Sequence, residues 1–423
     1  MKILKVIHGY PPIFNAGSEV YSEMLCNELR KENEVIVFTR EENPYLPEFH
    51  LRKEISERGV EIFFINIPRG KDGFRHPKMD SVFKNFIFAA KPDIAHIGHL
   101  NHLSTGIIDV LNEEQIPILY TLHDFWLLCP RGQFLQTNFG ESEYYQVCDG
   151  QEDRKCATHC YNSYFTGISD TMEIEISNWT KWINSRMAEI NRICEKIDLF
   201  LAPSRYLLQR YVNYSPIPKE KIKFIDYGFH LDRLQRVEDN RNTIFTFGYI
   251  GTHIPAKGVN LLIDAFKETS VKANLKIWGR ENGQNTSSLK KKAESSKNKI
   301  EFMGEYQNEK ISLEVFNCID CLVVPSIWME NSPLVIHEAQ QVRIPVITAD
   351  QGGMKEFVED GINGLLFKHR NLESLRDKME YAATHPIQMK ELAKRGYLYS
   401  TTGDIPSIEE HTKEIVKIYQ SLL

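Results

Sequence analysis

The sequence predicts an α/β protein made of two doubly wound parallel-sheet domains, and three observations predict it. Short apolar runs alternate with helical patterns along most of the 423 residues. At about 150 residues per domain, that length asks for two or three cores. A polar stretch at 235–242 (QRVEDNRN) offers nothing to bury, and the alternation starts afresh after it.

Composition narrows the function classes. Hydrophobic residues make up 42% and charged residues 26%, as in a folded globular protein. Lys plus Arg number 51 against 57 Asp plus Glu, a net charge of −6, whereas a duplex-binding protein carries a basic excess; no nucleic-acid partner is expected. The opening MKILKVIHGYPP reads as a buried strand, its apolar run being shorter than a signal-peptide core, so a cytoplasmic location is expected. No window approaches the roughly 18 to 20 apolar residues that span a bilayer, so any membrane contact would be peripheral, on the inner face of the cytoplasmic membrane.

The first strand is expected at 2–8 (KILKVIH), followed by a glycine-containing loop, a helix over 18–32 and a strand at 34–39 (EVIVFT). Further strands are expected at 60–67, 94–97 and 118–122, each bounded by Gly, Pro or Asp. Residues 129–181 lose this rhythm and are rich in Gly, Asn, Tyr and Cys, which reads as a functional insertion. A helix around 182–195 and a strand at 199–202 resume the pattern. The second series places strands at 244–250, 275–278, 300–303, 321–324 and 346–348. Expected domains are therefore 1–235 and 236–395, with a helical segment at 396–423. Two such domains joined once form a cleft, and parallel sheets collect ligands at the carboxyl ends of their strands.

Chemistry concentrates at a few of those strand ends. GYIGTHIPAKGVNLLIDAF (248–266) follows a strand and opens a helix, so its glycines can bring backbone amides to an anion while Lys257 adds a point charge. A plain strand-to-helix turn with a surface lysine is the competing reading. In PSIWMENSPLVIHEAQQVRIPVITADQGGMKEFVEDGINGLLF (325–367), seven residues separate Glu330 from Glu338, and a helix opens near Pro333. Glutamates so placed accept hydrogen bonds from several hydroxyls, as a sugar or ribose requires. Gly352 and Gly353 return the chain to a strand end, where a phosphate meets amides. In the first half, His123 follows a strand, with Asp124 to orient it or to cap the next helix. His8, His96 and His99 are strand-end or loop histidines with weaker claims.

These motifs resemble the family-4 (GT4) retaining glycosyltransferases of the GT-B fold, the group 1 type. PPIFNAGSEVY, TLHDFWLLCPRG (121–132), APSRYL (202–207), AKGVNLLIDAF (256–266), the Glu330–Glu338 spacing, IPVIT, Gly352 with Gly353, Glu356 and DGINGLLF stand in family order over most of the chain. The resemblance implies two Rossmann-like domains facing each other across a cleft, with the donor held mainly by the second domain and the acceptor by the first. The last helical segment would cross back to the first domain. The implied activity is that of a hexosyltransferase (EC 2.4), moving a sugar with retention from a UDP- or GDP-sugar to a sugar or lipid-linked acceptor, in glycan, polysaccharide or glycolipid biosynthesis.

In that resemblance Lys257 clamps the diphosphate, Glu338 holds the ribose, Glu330 stands near the sugar hydroxyls and His123 faces the transferred sugar. Gly17, Thr252, Arg280, Asn331, Ser332 and Leu334 complete the donor side, and His8, Asp124 and His99 face the acceptor. Two positions depart from the family. Ala16 precedes Gly17 where many relatives have two glycines, and Thr252 stands where many have an arginine, a charge that Arg280 in WGREN would replace. Front-face attack needs no protein nucleophile, and with no Asp-x-Asp triplet in the sequence no catalytic metal is expected. A nucleotide-sugar epimerase and a catalytically silent nucleotide-sugar-binding protein are the alternatives.

Cys129, Cys148, Cys156 and Cys160 follow one another at spacings of 19, 8 and 4 positions, with His159 beside the last. Three readings stay open: a structural zinc or iron–sulfur site, buried thiols, and disulfides. Lys84, Lys91, Arg154, Lys155 and Lys181 are the cations that would meet a membrane surface.

Overall fold

The computed structural model describes residues 1–67, 73–137, 145–165, 171–235 and 244–423. These form two compact α/β units, one from residues 1–133, 150–229 and 406–423 and the other from 134–149 and 230–405. The division thus falls at 229/230 instead of 235/236, and the return to the first unit at 406 instead of 396. The expected linker at 235–242 lies outside the described residues except for Gln235.

The chain begins with β1 (Lys2–Val6), α1 (Gly17–Leu29), β2 (Glu34–Glu41), β3 (Leu51–Ile55) and β4 (Glu61–Asn66), then α2 (Pro77–Ala90), β5 (Ile94–Ile97), α3 (Gly106–Glu113) and β6 (Ile118–Thr121). It continues with a two-stranded hairpin of β7 (Leu135–Gln136) and β8 (Gln146–Val147), α4 (Asp153–Cys160), α5 (Met172–Glu195), β9 (Leu199–Ala202), α6 (Arg205–Tyr214) and β10 (Ile222–Phe224). The first unit's sheet has the order β10-β9-β6-β5-β1-β2-β4-β3. All its pairings are parallel except β3 on β4. β3 was not anticipated: its sequence, LRKEI, carries three charges and is largely exposed, which suits an edge strand and hides it from a search for apolar runs.

Near the middle of this sheet, β1 lies between β2 and β5, with Lys5 in register beside Val37 and His96. α1 buries Tyr21, Met24, Leu25 and Leu29, a helical spacing that turns one stripe inward. The expected insertion contains α4 and α5, and α5 starts at Met172, well before the helix anticipated at 182–195. Ile176 and Ile183 of α5 pack with Cys156 and Cys160 of α4, and Trp179 and Trp182 lie against them.

The second unit contains β11 (Phe245–Ile250), α7 (Val259–Lys267), β12 (Ala273–Trp278), α8 (Gly283–Ala293), β13 (Lys299–Gly304), α9 (Ile311–Glu314) and β14 (Cys321–Val324). α10 (Leu334–Gln341), β15 (Val346–Ala349), α11 (Gly352–Phe357), β16 (Gly364–Phe367), α12 (Leu372–Thr384) and α13 (Pro386–Lys394) follow. Its six strands are parallel in the order β13-β12-β11-β14-β15-β16. α14 (Ile408–Leu422) belongs to the first unit, where it packs on α1. Its start is fixed by a reciprocal cap between Ser407 and Glu410. No helix among the described residues is long and apolar enough to cross a membrane.

Candidate active site

In the second unit, neighbouring strands β11 and β14 deliver two turns to the same place. The turn after β11 carries Lys257 and the turn after β14 carries Glu330. Gly258 lets them meet: its φ is +71°, and a Cβ there would run into the carbonyl of Pro325. Lys257 Nζ donates to Glu330 Oε1 at 2.7 Å, and Ser326 Oγ donates to the same oxygen at 2.6 Å. The ammonium also lies 5.3 Å from the centroid of the Trp328 ring. The Glu330 side chain is only 6% exposed and that of Lys257 31%, so the lysine is the charge a ligand can reach.

The backbone around Glu330 is pinned by the next strand's turn. Gly353 N donates to Glu330 O at 2.7 Å, and a Cβ at 353 would collide with the carbonyl of Asn331. Asn331 and Ser332 are buried, Leu334 is half-buried, and Pro333 caps α10 instead of lying in its first turn. Glu338, one turn into α10, is buried and ion-paired with Arg233 Nη2. Arg233 Nη1 donates to the Asn308 carbonyl at 3.2 Å and to its Oδ1 at 2.9 Å. Burial and the charge of Glu338 push the Tyr306 phenol above its ordinary range. Thr252 takes part through its carbonyl, 3.2 Å from Tyr249 Oη, and Arg280 through its carbonyl, which accepts from His253 N at 3.1 Å. The Arg280 side chain is exposed.

In the first unit, histidines gather at the ends of β1, β5 and β6. His123 Nδ1 lies 2.6 Å from Tyr227 Oη. Burial, reinforced by the charges of Lys5 and His99, holds the His123 imidazole well below its ordinary pKa, so it is neutral. Asp124 does not orient it. One carboxylate oxygen of Asp124 accepts from Trp126 N at 2.7 Å and the other lies 3.3 Å from His99 Nε2, because the local turn favours capping. His99 Nδ1 accepts from Asn101 N at 2.9 Å, which puts the His99 proton on Nε2, toward Asp124. His8 packs 4.4 Å from the His99 ring and 3.3 Å from Glu19. Burial first, then neighbouring charges, holds His8 well below its ordinary pKa, so its contact with Glu19 is not an ion pair. His96 is fully buried between Tyr419 Oη and Thr121 Oγ1, both at 2.7 Å, a structural position. Gly17 is the exposed first residue of α1.

Among the described residues no group of three or more His, Cys, Asp or Glu side chains could hold a metal ion. Cys156 and Cys160 are four apart on α4, and that spacing points both into the aromatic core of the insertion. Cys148 belongs to the β7–β8 hairpin of the second unit.

A family model described as Glycosyltransferase Family 4 matches residues 16–233, and one described as Glycosyl transferases group 1 matches 232–399. The chain belongs to Glycosyltransferase Family 4. It is 30% identical over 184 residues to an uncharacterized glycosyltransferase of Methanocaldococcus jannaschii, a match that covers 42% of this chain and 49% of that protein, about half its length. A Klebsiella pneumoniae protein from the cps region is 28% identical over 69% of this chain and 75% of its own. Among solved structures, sucrose-phosphate synthase from Thermosynechococcus elongatus superposes with a TM-score of 0.70 at 17% identity, over 100% of this chain and 99% of its own. Anabaena HepE in complex with UDP and glucose gives 0.64 at 18% identity, with both chains covered in full. The chain therefore has the GT-B fold, two Rossmann-like domains.

Several residues of this candidate site escaped the sequence. Ser326 was within reach, standing four residues before Glu330 in PSIWME. Arg233 and Tyr227 were not: each meets its partner across more than a hundred residues of chain, and nothing local marks them.

Proposed function

We propose that the chain is a retaining glycosyltransferase that takes a sugar from a UDP- or GDP-linked donor and passes it to a sugar or lipid-linked acceptor in glycan, polysaccharide or glycolipid biosynthesis. The observation that carries this reading is the reachable ammonium of Lys257, fixed by Glu330 where the turns after β11 and β14 meet. As the nucleoside diphosphate leaves, negative charge grows on its phosphate, and a cation already in position stabilises that state more than the ground state. Glu330 would accept from sugar hydroxyls with its second carboxylate oxygen, and Glu338, steadied by Arg233, would accept from the ribose diol. His123 would face the sugar, and His8, His99 and Asp124 would flank the acceptor. The leaving phosphate would take the acceptor's proton, so no protein nucleophile is assigned, and protein cations would replace a catalytic metal. Solved structures of similar fold bound to UDP and glucose, and to ADP and acarbose, support a nucleotide-linked donor.

Calorimetry with a panel of UDP-, GDP- and ADP-sugars tests this, comparing the intact protein with Lys257→Ala. One donor is expected to bind and to weaken at least about tenfold, or about 1.4 kcal/mol, on loss of the lysine. No binding to any donor by folded protein overturns the reading. A cytoplasmic location at the inner membrane face, through Lys84, Lys91, Arg154, Lys155 and Lys181, is part of the proposal. Pelleting with anionic vesicles no greater than without them removes that part.

A further inference from the structure

The centre of the first unit's sheet holds a buried cation. Lys5 on β1 is 1% exposed, and its Nζ has no hydrogen-bond partner among the described residues. The amine reaches the end of β5, where a Cβ added to Gly98 would lie 3.4 Å from it, and stands 5.8 Å from the centroid of the Tyr21 ring. The Cys26 thiol beside it supplies no counter-charge, since burial pushes that thiol up to about 12. Burial lowers Lys5 itself only to about 8, so it is charged through the neutral and acidic range. A desolvated, unpaired ammonium destabilises a fold, and an apolar side chain of similar length would not. Its presence asks for another reason.

That reason lies in what shares the Tyr21 ring. The His123 ring packs 5.5 Å from it and the Tyr227 ring 4.5 Å, while Tyr21 Oη lies 2.8 Å from His411 Nε2. The charge of Lys5 opposes protonation of His96, His123 and His411 alike. His96, His123 and His411 are each engaged by a buried hydroxyl, but of the three His123 is the one assigned to face the sugar. The other titratable groups bearing on His123 are His8 after β1, His99 after β5, Tyr227 after β10, and Asp124 and Asp226, which act on Tyr227.

We propose that Lys5 is a positioning residue for sugar transfer, whose charge, set against the Tyr21 ring on which His123 also packs, adds to burial in holding His123 with Nδ1 accepting from Tyr227 and its single proton on Nε2. A protonated His123 would donate from both nitrogens, force the Tyr227 hydroxyl to turn round, and place a positive charge beside an oxocarbenium-like sugar. The kinetic consequence rests on the transferase reading; the protonation state of His123 does not.

The test uses the full chain labelled with 15N-histidine, with His123 assigned from the signal lost in His123→Gln. In the wild type His123 should titrate well below the ordinary histidine range. In Lys5→Met its titration midpoint should rise by about one unit, a tenfold change in proton affinity, and Lys5→Arg should restore the wild-type behaviour. With a working donor, the acid limb of kcat/KM should move to higher pH by the same amount while donor KM stays within about twofold. Lys5→Gln, checked by melting, serves if Lys5→Met does not fold. An unmoved His123 titration in either folded variant overturns the proposal. Failure of every donor would instead strike the transferase reading and leave the spectroscopic result decisive for Lys5.

Discussion

Gly353 and Lys5 are single residues at which the fold leaves almost no freedom, for opposite reasons. At 353 the constraint is space. Gly353→Ala sets a methyl against the Asn331 carbonyl, so about 3 kcal/mol or more of stability should be lost, read as a lower urea midpoint, and Glu330 should lose its backbone tether with it. At Lys5 the constraint is charge. Its pKa is about 8 in the folded protein against 10.5 for the free side chain, so the unfolded chain binds the extra proton between those values. Stability should therefore be lowest below pH 8 and rise toward pH 10.5, by roughly 3 kcal/mol in isolation, and Lys5→Met should abolish the rise while raising the melting temperature at pH 7. Neither effect is visible in composition or periodicity: the lysine sits in a run, KILKV, that reads simply as a buried strand.

Elements differ in how plainly they could be read. β1, β2, β5, β6, β9, β14 and β15 are buried along nearly their whole length, and continuous apolar runs announced them. β3 is polar and β10 is three residues long, so pairing and not pattern defines them, whereas β16 (GLLF) is as short and apolar as the strands that were announced. Lys257 and Glu330 were legible because each lies in a dense local motif, while Tyr227, Arg233 and Lys5 acquire their meaning only from partners brought in by the sheet. α14 makes a prediction of its own. His411, buried against Tyr21, has its pKa lowered by burial to about 4, so acid protonates the unfolded chain first. Stability should be fully present above pH 6.5 and fall by roughly 3 kcal/mol as pH drops to 4, and His411→Gln should flatten that dependence in melting curves. Ser407→Ala removes the cap of the same helix and should cost about 1 kcal/mol at any pH.

Over the whole molecule, ligand binding and folding are linked by mass action. A donor at a hundred times its Kd should add about 2.7 kcal/mol to the unfolding free energy of the native chain. Hydrogen-exchange protection should concentrate at 251–258 and 326–338, where the turns after β11 and β14 lie, and a uniform slowing would argue against a donor site there. The placement of α14 has a further consequence, for birth instead of function. Residues 406–423 complete the first unit, burying Ile408, Ile415 and Tyr419 after the second unit's residues have been made. On the ribosome, at about 5 to 20 residues per second, the usual order is inverted: the later unit can close while the earlier one still waits for its final helix. For those seconds Tyr21 and His96 lack the partners His411 and Tyr419, and a nascent chain stalled before residue 406 should be the form that chaperones hold.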